Sequence, residues 1–287
     1  MAQNFEHIKS NGQTLRVAIS GDGPLVLLIH GWPESWYSWR HQIQALSAAG
    51  YKVAAPDVRG YGGSDKPEPI EAYDMANMTA DIAGLVDAMG REPAVVIGHD
   101  WGAPIAWYTA LLHADKVRAV AGLSVPYTGP GPAPFIEIAK KIYRDQFFYQ
   151  IYFQDPGIAE AELEADVRDA LRKIYYWISG EGLCARTLDN KPADAKLLDG
   201  MEDPGQLPPW MSAEDLDYYV SQFKESGFRG PLNRYRNHYR DFEFLSSHGD
   251  RKILQPAAFI SGTLEPVLNF VPGVDLIANM RKKLGDL

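Results

Sequence analysis

The first half of the chain alternates short apolar runs with helical patterns, and this alternation constrains the fold more than any other feature of the sequence. Four runs are apolar almost throughout: Leu25–Ile29, Tyr51–Pro56, Pro93–Ile97 and Val117–Val125. Such runs are typical of strands that are buried on both faces of a parallel sheet. Helical patterns over Met75–Met89 and Ala103–Leu112 separate some of them. The sequence therefore predicts an α/β fold with a mostly parallel central sheet.

The second half interrupts this alternation with a helical block. The turn-rich segment Tyr127–Pro134 comes first, and from residue 135 to 246 the sequence is aromatic and charged and carries no strand pattern. An apolar run returns at Ile253–Ile260. We therefore predict a helical cap over residues 135–246, inserted into a core of residues 1–134 and 247–287. Inserted helices of this kind often cover the sheet edge at which ligands bind.

The composition excludes several function classes. The 287 residues include 37 acidic and 28 basic side chains, a net charge of −9, whereas a nucleic-acid-binding protein would present a basic face. The single cysteine, Cys184, excludes an intrachain disulfide and a cysteine-based zinc site. No stretch approaches the ~18 apolar residues of a membrane helix, and no secretory signal pattern is present. We therefore expect a cytoplasmic protein with no nucleic-acid or membrane partner and no metal site.

The strongest local motif is G-H-D-W-G at residues 98–102. It lies between an apolar strand and a helical pattern, which is the context of the nucleophile elbow G-x-S-x-G. Here the central residue is Asp100, whose carboxylate is ionised at neutral pH without a base. Such a carboxylate can displace a leaving group at a saturated carbon and form an alkyl ester that water then hydrolyses. The alternative is an ordinary strand-to-helix loop in which the aspartate caps the helix.

A second motif, H-G-W-P at residues 30–33, follows the strand Leu25–Ile29 at the same edge of the predicted sheet. Hydrolysis of an ester develops negative charge on the carbonyl oxygen, which requires hydrogen-bond donors. In folds with a nucleophile elbow, a backbone N–H of such a loop is one donor, and the N–H after the nucleophile is the other. Trp32 and Trp101 are therefore the candidate donors.

These motifs and three others resemble the epoxide hydrolases of the α/β-hydrolase superfamily. The resemblance covers about residues 4–275 and is carried by five segments: HGWPESWYSWR (30–40), DVRGYGGSDKP (57–67), GHDWGAP (98–104), FFYQIYFQDPGIAEAELE (147–164) and GFRGPLNRYRN (227–237). The last two lie in the predicted cap and are the most specific, because the general fold does not require them. The resemblance implies an α/β-hydrolase fold.

The resemblance also implies roles for single residues. Asp100 would be the nucleophile, and Tyr149 and Tyr235 would donate hydrogen bonds from the cap to the epoxide oxygen. An alkoxide leaves only when it is protonated or strongly hydrogen-bonded, and a phenol with a pKa of ~10 donates while it stays neutral at pH 7. Glu265 stands where family members carry the acid that orients a catalytic histidine.

Aromatic side chains near these motifs are candidates for the substrate pocket, namely Phe148, Phe153 and Trp36. Each of them is explained as readily by packing between cap and sheet. An aromatic pocket indicates a small apolar epoxide as the substrate, with water as the second reactant. The implied chemistry requires no metal or organic cofactor, and the sequence is compatible with a monomer or a homodimer.

Two features depart from the family pattern. The acid is Glu265 instead of the usual aspartate, so its carboxylate must reach a histidine from a different angle. None of the seven histidines follows it: they are His7, His30, His41, His99, His113, His238 and His248. Although His99 precedes Asp100, neighbouring side chains in an extended segment point to opposite faces. We therefore expect that the last strand, the last helix and the catalytic histidine of the fold are missing from this chain.

Two alternatives remain open at this point. A haloalkane dehalogenase-like hydrolase also uses an aspartate, and Trp101 would suit a halide, but Tyr149 and Tyr235 favour an epoxide. Without its histidine, the chain would alkylate once and stall, or would only bind a ligand. A serine esterase is excluded because Asp100 occupies the nucleophile position.

Overall fold

The computed structural model describes residues 4–90, 92–185 and 191–286. Residues 186–190 of the predicted cap, and residues 1–3, 91 and 287 of the predicted core, lie outside this description. The described residues form eight strands: β1 (Asn4–Ser10), β2 (Gln13–Ser20), β3 (Leu25–Ile29), β4 (Lys52–Pro56), β5 (Ala94–His99), β6 (Val117–Leu123), β7 (Ile253–Ile260) and β8 (Leu284–Asp286).

The same residues form twelve α-helices: α1 (Arg40–Ala48), α2 (Met75–Met89), α3 (Gly102–Leu112), α4 (Phe135–Ile142), α5 (Tyr149–Tyr152), α6 (Ile158–Ala165), α7 (Val167–Ile178), α8 (Gly180–Ala185), α9 (Ala213–Ser226), α10 (Arg229–Asn233), α11 (His238–Ser246) and α12 (Leu276–Arg281). None of the helices in this part of the chain is long and apolar enough to cross a membrane.

The eight strands form one sheet in the order β1-β2-β4-β3-β5-β6-β7-β8. The pairs β1–β2 and β2–β4 are antiparallel, and all the others are parallel. All five residues of β3 are buried, as the apolar run predicts. Ile29 pairs with Gly98, so β3 and β5 end side by side at the same edge of the sheet. The predicted mostly parallel α/β sheet is confirmed, and its topology brings the two motif loops together.

Two strands differ from the expectation. An apolar run does not mark β1, because this edge strand is largely exposed and its only apolar residues are Phe5 and Ile8. The expectation that the last strand is missing is wrong, since β8 follows α12 and pairs parallel to β7. The expectation about the last helix stays a prediction. β8 escaped prediction because three residues, one of them glycine, cannot carry an apolar pattern.

All described elements between β6 and β7 are helical, from α4 to α11. We call this stretch, residues 135–246, the helical segment. Its division from the rest as a separate cap stays a prediction. In α7 the buried face includes Leu171 and Ile174, and the Asp166 carboxylate caps the first turn by accepting two backbone N–H bonds. The Tyr175 hydroxyl donates to the Pro33 carbonyl oxygen over 2.5 Å, so the helical segment lies against the loop after β3.

Candidate active site

Asp100 occupies a sharp turn between β5 and α3. Its φ of 51° lies in the left-handed region, which is uncommon for a residue other than glycine. The turn is possible because a Cβ at Gly98 would overlap the Gly102 carbonyl, and a Cβ at Gly102 would overlap the Ile29 carbonyl. Asp100 thus holds a strained backbone conformation in a turn where strand and helix pack closely.

Backbone N–H groups hold the Asp100 carboxylate. The Trp32 N–H donates to Oδ1 over 2.8 Å, and the Trp101 N–H also bonds the carboxyl group. The loop approaches this closely because Gly31 has no side chain, and a Cβ there would overlap the Asp100 carboxylate. The structure therefore brings both candidate oxyanion donors to the predicted nucleophile.

The pKa of Asp100 reflects opposing effects. Burial raises it, while the positive charge of His99 and the N–H bonds from Trp32 and Trp101 lower it, and the result is about 6. The carboxylate of Asp100 is therefore mainly ionised at pH 7.

Two tyrosines of the helical segment face this carboxylate. The Tyr149 and Tyr235 rings are 5.8 Å apart, and the Tyr235 ring lies 5.2 Å from that of Trp101. Tyr235 is 1% exposed. Burial raises the pKa of both phenols above 10, and the nearby charge of Asp100 raises it further. Both side chains are therefore neutral proton donors at any pH near 7.

A side-chain amide ties the two tyrosine-bearing segments together. The Gln154 Nε2 group donates to the carbonyl oxygen of Gln150 over 2.7 Å and to that of Tyr235 over 2.9 Å. These segments are more than 80 residues apart in the sequence. One side chain thus sets the spacing between the backbone beside Tyr149 and the backbone of Tyr235.

A buried guanidinium makes a second tie between the same segments. The Arg236 Nε donates to the Phe153 carbonyl oxygen over 2.9 Å, and Nη1 donates to Glu160 over 2.7 Å and to Asn233 over 2.9 Å. The Arg236 side chain is 3% exposed. The sequence indicates no role for Gln154 or Arg236, although both lie inside the two most specific motifs.

The two phenylalanines predicted to contact substrate lie near the tyrosines. The Phe153 ring is fully buried and lies 5.1 Å from that of Tyr235 and 5.2 Å from that of Trp32. The Phe148 ring stacks on Tyr143 at 4.2 Å and lies 5.1 Å from the ring of Tyr149. Phe153 thus belongs to the group around Asp100, and Phe148 borders it.

The structure does not bring Trp36 into this group. Its ring lies 5.1 Å from that of Phe5 and 5.8 Å from that of Tyr218, and its indole N–H donates to the Tyr218 hydroxyl over 2.6 Å. Trp36 therefore packs between β1 and α9, as expected if it only fills the space between the helical segment and the sheet.

Glu265 begins the short 3-10 helix Pro266–Asn269 and accepts the Val267 N–H over 3.1 Å. Its charge raises the pKa of His99 and of Tyr149, so the carboxylate lies on the Asp100 side of the sheet. None of the described histidines hydrogen-bonds to it.

A half-buried ion pair next to Asp100 was not predicted from the sequence. The His99 Nδ1 lies 3.1 Å from the Glu34 Oε2, which also accepts the Gly31 N–H over 3.3 Å. Burial lowers the pKa of His99, but the charge and hydrogen bond of Glu34 raise it more, to about 9. His99 is therefore protonated at pH 7 and is no base there. Glu34 could have been suspected from its position directly after the H-G-W-P motif.

A cleft of about 450 Å³ has Glu34 in its wall, together with Tyr175, Trp210 and Tyr219. Within the described ranges, no group of three or more His, Cys, Asp or Glu side chains is placed to hold a metal ion.

Comparison with known proteins identifies the family. A model of the alpha/beta hydrolase fold matches residues 24–271. Epoxide hydrolase A of Mycobacterium tuberculosis is 46% identical over 268 residues, which make up 92% of this chain and 83% of that protein. The chain belongs to the epoxide hydrolases of the α/β-hydrolase superfamily.

Other epoxide hydrolases are similar in sequence and structure. Bifunctional epoxide hydrolase 2 of Rattus norvegicus is 39% identical over 259 residues, which are 90% of this chain and 46% of that protein. The crystal structure of epoxide hydrolase A from Mycobacterium thermoresistibile matches with a TM-score of 0.89 at 44% identity, covering 94% of this chain and 86% of that one. An epoxide hydrolase from an endophytic Streptomyces matches with a TM-score of 0.92 at 43% identity, covering 99% and 86%.

Proposed function

We propose that the chain opens small apolar epoxides to vicinal diols through a covalent ester on Asp100. The observation that carries this proposal is one arrangement: an ionised carboxylate, held by the Trp32 N–H, faces the neutral phenols of Tyr149 and Tyr235. A nucleophile and two acids on opposite sides of one space suit the opening of a strained ether.

In the first step, the Asp100 Oδ2 attacks an oxirane carbon while Oδ1 stays bonded to the Trp32 N–H. The carbon–oxygen bond of the ring breaks, and its electron pair moves onto the oxirane oxygen. Tyr149 and Tyr235 hydrogen-bond that oxygen, and one of them transfers its proton to it. The product is an alkyl ester on Asp100 that carries a neighbouring hydroxyl group.

In the second step, water attacks the ester carbonyl carbon. The carbonyl oxygen is Oδ1, so the developing oxyanion is already bonded to the Trp32 N–H. The Trp101 N–H bonds the same carboxyl group. The ester bond to the alkyl oxygen then breaks. One proton of the water ends on that oxygen and the other returns to the tyrosinate, so the diol leaves with the Asp100 carboxylate and the phenol restored. The family resemblance assigns the proton of the water to a histidine oriented by Glu265.

The apolar walls support the substrate class. The Trp32, Trp101 and Phe153 rings lie 5.1 Å to 6.1 Å from the Tyr235 ring, so the surroundings of Tyr235 are mainly aromatic. A dehalogenase would need N–H donors for a halide and would have no use for two phenol acids. We therefore expect epoxide opening and no release of halide.

The test mixes the protein with excess styrene oxide and follows intact mass and diol. We expect a gain of one epoxide mass on the peptide that contains Asp100, or diol formed from it. An Asp100→Asn chain, which keeps the shape without the nucleophile, should give neither. Absence of both adduct and diol with the unaltered chain would refute the proposal, and so would an adduct on another residue. Bromide released from 1-bromohexane would favour the dehalogenase.

A further inference from the structure

The side chain after Tyr149 has an unusual environment. Gln150 is in the first turn of α5 and is 7% exposed. Its Nε2 group donates to the Tyr149 hydroxyl oxygen over 2.9 Å. Its backbone carbonyl accepts from Gln154, so the residue is fixed at both ends. The Gln150 amide is therefore placed to act on one atom of the candidate site, the phenol oxygen of Tyr149.

The direction of this hydrogen bond decides where the phenol proton points. The Gln150 Oε1 is buried and has no hydrogen-bond partner among the described residues. If the amide were reversed, the Tyr149 hydroxyl would donate to Oε1, and its proton would be turned away from the substrate. With Nε2 as the donor, one lone pair of the phenol oxygen is occupied and the O–H bond is free to point elsewhere.

We propose that Gln150 is a positioning residue, whose amide N–H holds the Tyr149 oxygen so that the hydroxyl proton faces the epoxide oxygen and the resulting phenolate is stabilised. This inference rests on the proposed function. It assigns to one neutral amide a role that neither the motifs nor the ring contacts around Asp100 indicate.

The chemistry of the first step explains why this amide acts on the rate. The Asp100 Oδ2 forms a bond to carbon, the ring carbon–oxygen bond breaks, and the oxirane oxygen takes the Tyr149 proton. The electron pair of that O–H bond stays on the phenol oxygen, which becomes negative. The Gln150 N–H bond to it then becomes charge-assisted and stronger than it was to the neutral phenol. A bond that strengthens only as the reaction proceeds lowers the barrier.

The surroundings of Tyr149 also explain why this phenol needs a hydrogen-bond donor. Burial and the charge of Asp100 raise the pKa of Tyr149, which makes the phenol a reluctant acid, while the hydrogen bond from Gln150 lowers it. The amide thus opposes the effect of the carboxylate that the tyrosine must approach. A neutral donor does so without placing a charge beside Asp100.

The test measures the rate of ester formation on Asp100 by quenched intact-mass analysis. Three variants are compared with the unaltered chain: Gln150→Leu and Gln150→Met, which remove the donor, and Gln150→Glu, which offers only acceptors. Gln146→Leu is the control, because it removes an exposed glutamine from the same part of the helical segment. Circular dichroism checks that each variant is folded.

Two epoxides of similar size show whether Gln150 positions the Tyr149 proton or only supports the fold. 1,2-Epoxypropane gives a basic alkoxide that depends on the acid, whereas 3,3,3-trifluoro-1,2-epoxypropane gives a much less basic one. We expect Gln150→Leu and Gln150→Met to slow ester formation about 10- to 100-fold on the first epoxide. With the trifluoro epoxide, the same variants should slow ester formation about threefold or less, because its less basic alkoxide depends less on the acid. Gln150→Glu should be at least as slow as Gln150→Leu, and Gln146→Leu should be unchanged.

The outcomes distinguish the two proposals. Equal losses on both epoxides would mean that Gln150 only supports the fold, and an unchanged rate in Gln150→Leu would mean that it does nothing for the reaction. Full activity of Gln150→Glu would place the amide oxygen on Tyr149. Each of these results overturns the inference and leaves the proposed function intact. If the unaltered chain consumes neither epoxide, the proposed function itself fails.

Discussion

The two sides of the candidate site are held by different means. On the sheet side, Asp100 is fixed by backbone features: a left-handed φ, the Trp32 N–H, and glycines whose missing Cβ atoms permit close approach. On the helical side, Tyr149 and Tyr235 are positioned by side chains, above all the amide of Gln154. The sheet side is therefore sensitive to added atoms, and the helical side is sensitive to removed polar groups.

This difference matches the proposed chemistry. A carboxylate that attacks carbon needs a fixed direction and donors that remain in place through both steps, and backbone N–H groups provide this at no side-chain entropy cost. The acids must reach the oxirane oxygen from across the pocket, and their spacing has to match one atom. Side-chain bridges between distant segments can set such a spacing.

The largest expected effect comes from removing both acids. We expect Tyr149→Phe with Tyr235→Phe to slow ester formation about 10⁴-fold, and each single change to slow it about 10²-fold, because one phenol can still protonate the oxygen. The measurement is the rate of adduct formation with styrene oxide. A double variant that retained more than a tenth of the rate would show that the helical side contributes position only.

The next effect tests the sheet side by adding one carbon. Gly31→Ala places a Cβ against the Asp100 carboxylate, so the loop or the carboxylate must shift. Displacements of this size cost about 100-fold in rate. Gly131→Ala is the matched control, because a Cβ there meets no atom closer than 3.6 Å. A Gly31→Ala rate within threefold of the unaltered chain would contradict the close packing described for this loop.

The pH dependence of ester formation tests the sheet side, because Asp100 titrates near neutral pH and the phenols of Tyr149 and Tyr235 do not. Since attack requires ionised Asp100, with a pKa raised to about 6, the rate of ester formation should rise with pH and level off above 7. At pH 5 it should be about one tenth of the plateau. His99→Gln removes the positive charge that lowers this pKa, so the midpoint should move upward. A midpoint near 4 in the unaltered chain would contradict the burial of the carboxylate.

A smaller effect tests the bridge on the helical side. Gln154→Leu leaves two carbonyl groups without their donor, and we expect a loss of about 1–3 kcal/mol in unfolding free energy. Ester formation should slow about tenfold because the tyrosine spacing is no longer fixed. The rate loss should shrink in a Tyr149→Phe background, as expected for coupled residues. Gln206→Leu, at an exposed position of the helical segment, serves as control.

The sheet side was predictable from sequence because its determinants are local. The run Leu25–Ile29 and the G-H-D-W-G motif each contain the residues that form one strand or one turn, and strand pairing then places Trp32 beside Asp100. The role of Glu34 was missed because its partner, His99, lies 65 residues away.

The helical side was predictable only through the family resemblance. No periodicity links Gln154 to Tyr235, since their contact depends on how two short helical turns meet in space. Aromatic composition does not predict which rings reach the site either: Phe153 packs against Tyr235, whereas Trp36 packs against Tyr218. In both cases the tertiary packing, and not the residue type, decides which side chains reach the site.

The most direct test of the account is a crystal structure of the chain after exposure to styrene oxide. We expect continuous electron density from the Asp100 Oδ2 to a substrate carbon, with Oδ1 still bonded to the Trp32 N–H. The new hydroxyl oxygen should lie within about 3 Å of the Tyr149 and Tyr235 oxygens. An adduct on another side chain, or a hydroxyl group turned away from both tyrosines, would contradict it.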